Sequence, residues 1–225
     1  MIIMAIKLVI FDMDNVLFDT GFFETHKKVA ASTWSLIYNK LNAQKENERL
    51  MKKWASGGHK SYIEWPNEAL TVFKNYGLTR EIFFDVINSM PLMNGARETI
   101  EELKKKDILT AIISGSFYEL GARARKELKI DFTIVTCSLI FENNKLKDWL
   151  ILPFDYKGKV YVFNALISSL NLKPEECALV GDGVNDIELA KKVGLSIAFN
   201  ARDELKEHCD VVIDKKDLRE TLKYF

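Results

Sequence analysis

The chain has 225 residues, enough for one sizeable core with a small accessory domain. Hydrophobic residues make up 48% and charged residues 28%, and Lys+Arg 32 balances Asp+Glu 32, so no global field points to nucleic acid or an anionic membrane as partner. Cys137, Cys177 and Cys209 show no Cys-x-x-Cys spacing, no apolar run reaches the length of a membrane span, and Met1–Lys7 lacks the basic start of a signal peptide. A zinc site, a disulfide framework and a membrane anchor are thereby set aside, and a soluble protein of the reducing cytosol is expected.

Residues 6–12 read as a buried strand, apolar apart from Lys7. The texture then turns helical. Val29, Ala30, Trp34, Ile37, Tyr38 and Leu41 keep helical spacing, and Glu48–Trp54 reads as a helix stopped by Ser56-Gly57-Gly58. Tyr62–Tyr76 follows, with Pro66 in its first turn and Gly77 at its end, and Thr79 is the N-cap of a further helix through Ile87. Residues 20–91 hold no credible strand, so they read as a helical cap inserted into a core of residues 1–19 and 92–225. Three of the four tryptophans (Trp34, Trp54, Trp65) lie there; packing accounts for most of the block's aromatics, with one or two free to face a substrate chamber.

From residue 96 helices and strands alternate. Helices are expected at 96–106, 116–128, 157–170, 186–193 and 218–224, and strands at 108–113, 132–137, 177–180, 196–199 and 211–213, with a hairpin turn at Asn143-Asn144. This pattern predicts an α/β fold, a doubly wound parallel sheet covered on both faces.

In such a sheet the ligand crevice lies at the carboxyl ends of the strands, and the chemically loaded residues fall there. Asp12 and Asp14 end the first strand one residue apart, with side chains on the same side and Met13 opposed. Two such carboxylates repel unless a proton or a hard cation, Mg²⁺ above all, lies between them. Ser114-Gly115-Ser116 follows the second strand and reads as a helix-opening phosphate cradle or an ordinary N-cap. Gly181-Asp182-Gly183-Val184-Asn185-Asp186 adds two carboxylates and an amide on a tight turn, and Lys157 supplies a cation that offsets the acids and grips a phosphate.

Taken in order, Asp12-Met13-Asp14-Asn15-Val16, Ser114, Lys157 and Gly181-Asp182-Gly183-Val184-Asn185-Asp186 resemble the motifs of the haloacid dehalogenase-like phosphohydrolases, and the insert resembles their helical cap. Ala198-Phe199-Asn200-Ala201 and Leu218-Arg219-Glu220-Thr221-Leu222 are similar to the phosphoserine phosphatase branch. The resemblance implies a Rossmann-like core and Mg²⁺-dependent hydrolysis of a small phosphorylated metabolite through an aspartyl-phosphate. Asp12 would be nucleophile and Asp14 acid and base; Asp12, the Asp14 carbonyl, Asp182 and Asp186 would surround the metal. Ser114, Gly115 and Lys157 would hold the phosphate, supported by Asn185. Lys159 competes with Lys157, which is favoured because it precedes Gly158.

The chain departs from that branch where the substrate amine and carboxylate would bind. Gly21 stands at the acidic position, flanked by Asp19 and Glu24, and the insert's only arginines, Arg49 and Arg80, lack a matching context. A phosphomonoester other than phosphoserine is therefore the expected substrate, with phosphoserine the alternative. A receiver-type phospho-accepting module is opposed by the insert, a dehalogenase by Asp14, and a non-catalytic binding protein by the full set of catalytic positions.

Overall fold

The computed structural model describes residues 5–21, 32–59, 61, 63–152 and 158–225. β1 (Leu8–Phe11) is buried along its whole length, as a central strand covered on both faces must be. Four helices follow: α1 (Thr33–Lys40), α2 (Gln44–Ala55), α3 (Glu64–Asn75) and α4 (Arg80–Ser89). Ser32 caps α1 by accepting from Ser35 N, and Thr79 caps α4 by accepting from Ile82 N. Next come α5 (Ala96–Lys105), β2 (Leu109–Phe117), α6 (Tyr118–Leu128), β3 (Phe132–Glu142) and β4 (Lys145–Ile151). The chain closes with α7 (Gly158–Ser169), β5 (Cys177–Gly181), α8 (Ile187–Ala190), β6 (Leu195–Phe199), α9 (Asp203–Lys206) and β7 (Val211–Ile213).

The seven strands form one sheet in the order β4-β3-β2-β1-β5-β6-β7, parallel except for the antiparallel β3–β4 pair. The doubly wound α/β expectation is met. β1 sits where the winding reverses, between β2 and β5, which is where a ligand crevice forms. Asn143 and Asn144, both at positive φ (48° and 64°), make the β3–β4 turn.

Two features differ from the sequence reading. The segment Ser114-Gly115-Ser116 does not open a helix; it lies inside β2, and α6 begins only at Tyr118. Ser114 pairs with Val135 but Phe117 with Cys137, so three steps on β2 match two on β3, a bulge that absorbs the glycine and keeps the strand going. The expected helix at 186–193 is a 3₁₀ turn (Val184–Asp186) followed by the short α8, and residues 218–224 form a 3₁₀ helix.

Alternating side chains of the strands feed two cores. On one face Leu8, Ile10, Ala111, Ile113 and Leu179 pack under α7, α8 and α9. On the other Val9, Phe11, Ile112 and Val180 pack under α5 and α6, and this cluster runs on without a break through Met13 and Phe117 into Trp34, Tyr38, Phe73 and Phe83 of the helical insert. Phe117 is the junction: its ring lies 4.4 Å from Trp34 and 5.3 Å from Phe83. Phe117→Ala empties that junction, and unfolding in urea is expected to show a loss of about 3–5 kcal/mol.

Candidate active site

The end of β1, the bulge of β2, the turn after β5 and the start of α7 converge on Asp12. Asp12 N–H donates to the Val180 carbonyl at 3.0 Å, so the residue continues the ladder toward β5 and its carboxylate faces the turn at 182–186. One oxygen each from Asp12, Asp182 and Asp186 lies within 4.8 Å of the others. Lys159, on the first turn of α7, puts Nζ 2.6 Å from Asp186 Oδ1 and 3.1 Å from Asp12 Oδ1. Asp186 Oδ2 also accepts from Gly183 N at 3.3 Å, and Asn15 Nδ2 donates to Asp182 Oδ2 at 3.0 Å. A Cβ on Gly181 would lie 2.5 Å from Asp186 Oδ2, so this turn closes only with glycine there.

Burial works against the charges of Asp182, Asp186 and Lys159. It raises the Asp182 carboxyl well above the ordinary aspartate value, helped by the charges of Asp12 and Asp186, and it raises Asp186 to about 6 despite Lys159. The same burial opposes the Lys159 ammonium, but Asp12 and Asp186 outweigh it and hold its pKa above the usual lysine value. Asp12 Oδ1 is buried, and the ammonium of Lys159 is 3.1 Å from it. Three mutually repelling acids that share one ammonium are a donor set of hard oxygens, and they fit a divalent cation such as Mg²⁺.

Asp14 stands apart from this trio. Its Oδ2 accepts from Thr33 N at 3.1 Å and its Oδ1 from the Thr33 hydroxyl, at the N-terminus of α1. Burial raises its carboxyl to about 6 against those hydrogen bonds. The two aspartates one residue apart therefore have different neighbours, one facing the acids of the core and the other held by the insert.

A cavity of about 250 Å³ opens over the site. Asp12, Asp14, Ser114, Gly115, Asp182 and Asn185 line its floor, so six of the residues expected from sequence meet in one place. Asp186 lies behind them, completely buried. Lys157 lies outside the described residues; the lysine against Asp12 is Lys159, the rival two positions on, which the α7 start turns inward. Trp34, Trp54 and Trp65 form much of the opposite wall. Sequence reasoning passed over Thr33, Asn47 and Arg202; a threonine just after a serine N-cap carries no mark of a long-range carboxylate partner. Arg202, whose N–H donates to the Asp182 carbonyl at 3.0 Å, is the only cationic side chain on the cavity wall among the described residues.

A family model described as haloacid dehalogenase-like hydrolase matches residues 6–194. The chain is a haloacid dehalogenase-like hydrolase. It is 32% identical to a phosphoserine phosphatase of Methanocaldococcus jannaschii over 97% of each chain, and 32% identical to one of Campylobacter jejuni over 97% of this chain and 99% of that one. A solved phospho-aspartyl intermediate analogue of phosphoserine phosphatase superposes with a TM-score of 0.82 at 29% identity, covering 98% of this chain and 99% of the other. This hydrolase thus falls on the phosphoserine phosphatase-like branch, and its activity class is phosphoric monoester hydrolysis. Among the described residues, no helix is long and apolar enough to cross a membrane.

The acids that serve such a site are costly to the metal-free fold. A carboxyl whose folded pKa is raised binds its proton more tightly when folded, so its contribution is most favourable near the unfolded value of about 4 and is lost as pH rises through the folded value. In EDTA, thermal stability is expected to fall from pH 5 to pH 7. Asp182→Asn keeps a carbonyl for Asn15 and removes one charge; calorimetry at pH 7 should show a melting temperature higher by about 2–6 °C and a flatter pH dependence.

Proposed function

We propose that this hydrolase is an Mg²⁺-dependent phosphatase that cleaves a small phosphomonoester through an aspartyl-phosphate on Asp12. The observation that carries this reading is the cluster of three carboxylates, Asp12, Asp182 and Asp186, that share the single ammonium of Lys159 beside the floor of the cavity. Asp12, Asp182, Asp186 and the Asp14 carbonyl would hold the cation, which would supply charge neutralisation between the carboxylate nucleophile and the phosphoryl oxygens.

The chain's own groups account for the rest. A phosphoryl group over Asp12 meets the Ser114 hydroxyl and the Gly115 backbone on one side and Asn185 on the other, which fixes it in line for attack. Lys159, kept protonated by two carboxylates, orients Asp12 and faces the incoming charge. Asp12 forms the new P–O bond while the ester P–O bond breaks, and Asp14 delivers a proton to the departing alkoxide. Asp14 then takes a proton from the water that cleaves the acyl phosphate, returning phosphate and the Asp12 carboxylate. Thr33 holds Asp14 by its N–H and hydroxyl, so residues 20–91 act in this reading as a cap that aims the proton donor of the 1–19 and 92–225 core.

Phosphoserine, the substrate named for the relatives, is the second reading. The described side chains that would hold a zwitterion are engaged elsewhere. Asp19 accepts from Gly21 N at 2.9 Å and pairs with Lys216 at 2.6 Å; Arg49 pairs with Glu46 at 2.8 Å, and Arg80 lies over the Phe84 ring. Glu24 lies outside the described residues.

Asp12→Asn is expected to abolish hydrolysis of p-nitrophenyl phosphate, and EDTA to do the same reversibly. Asp14→Asn should slow an alkyl phosphate by about 10²–10⁴-fold and p-nitrophenyl phosphate far less, since nitrophenolate leaves without a proton. Mg²⁺ should raise the melting temperature of the wild type and not of Asp182→Asn. Turnover that survives both Asp12→Asn and EDTA would overturn the mechanism.

A further inference from the structure

The cavity has two unlike ends. Its floor is charged, with Asp12, Asp14 and Asp182, and Arg202 lies on the same rim through its backbone bond to Asp182. Its roof comes from the helical insert: Ser32, Trp34 and Ser35 of α1 and its cap, Asn47, Met51 and Trp54 of α2, and Trp65 of α3. Among the described residues the roof holds no acid and no base. Its polar groups are neutral, and Ser32 and Ser35 already satisfy one another in the α1 capping box. The Trp65 indole N–H is buried with no acceptor among the described residues, although indole N–H groups usually find one. Trp65 meets Trp34 edge to face at 5.0 Å, and Trp34 is in turn held by Phe73 and Phe117, so that wall is braced from behind.

Resting on the phosphatase reading above, we propose that the leaving group is an uncharged, ring-bearing alcohol packed among Trp34, Trp54 and Trp65. A free ammonium or carboxylate would lose its hydration against this roof and meet no opposite charge among the roof's described residues. A flat neutral ring loses little on desolvation and gains contact with indole faces and the polarisable Met51 sulfur. A ring substituent that accepts a hydrogen bond would answer the unpaired Trp65 N–H.

The test compares benzyl phosphate and O-phospho-L-serine at fixed Mg²⁺. Both release an alkoxide, so chemical leaving-group strength does not favour the ring. The expected result is a kcat/KM for benzyl phosphate about thirtyfold or more above that for phosphoserine, on the scale of burying one aromatic ring. Trp54→Ala and Trp65→Ala should each lower the ratio of benzyl phosphate to phosphoserine about tenfold, with circular dichroism confirming the fold. Equal rates, or a preference for phosphoserine, overturn the inference and leave the phosphatase reading standing. An unmoved ratio in a folded variant overturns it as well. Failure to hydrolyse either ester, and acetyl phosphate besides, overturns both.

Discussion

The structure depends on keeping three carboxylates, two buried and one half-buried, together around one ammonium. Asp12, Asp182 and Asp186 come within 4.8 Å of one another, and Lys159 compensates only part of their charge. Like charges at this separation in a poorly solvated site destabilise one another by several kcal/mol when all are ionised. The fold tolerates the arrangement because each acid is fixed by a different rigid element: β1, the turn after β5 and the 3₁₀ turn before α8. The residual negative charge makes the centre receptive to a cation and, with it, to a phosphate. Function and destabilisation here have the same origin.

Around that centre the packing assigns separate jobs to similar residues. Asp12 and Asp14 are chemically identical and two positions apart, yet one faces the acids and the other the N-terminus of α1. Their difference comes from the insert, which reaches into the crevice with Thr33 and Trp34. Among the described residues, the insert has no hydrophobic cluster separate from the sheet's. Its buried aromatics continue the core beneath α5 and α6, with Phe117 as the link. Part of the cavity wall and part of the fold's core are consequently the same side chains, and Trp34, only 6% exposed, belongs to both. A substitution that retunes the roof there also acts on stability, whereas Trp54 and Trp65, at the outer part of the wall, are freer to change.

Much of the architecture was legible in advance, and for local reasons. β1 reads as a buried strand because it is a short apolar run; Thr79 and Gly77 mark helix ends through their own hydrogen bonding and φ. The alternation after residue 96 gave the doubly wound sheet. The reading failed where a longer-range contact overrode a local preference. Ser114-Gly115-Ser116 resembles a helix start, but pairing with β3 carries the strand past it through a bulge. The inward turn of Lys159 at the start of α7 likewise depends on contacts with Asp12 and Asp186 from distant parts of the chain.

Local sequence is enough to say which functional groups the protein owns and that its acids at 12, 14, 182 and 186 follow strands; the hydroxyl at 114 and a lysine near 158 are legible as residue types. Those are matters of residue type and of hydrophobic period, both written locally. Tertiary structure alone decided how the groups are shared out. It gave Asp14 to Thr33, Lys159 to Asp12 and Asp186, and three tryptophans from three helices to one wall. Each of those assignments joins segments distant in the chain, and which face of an element turns inward there depends on packing that no short stretch encodes.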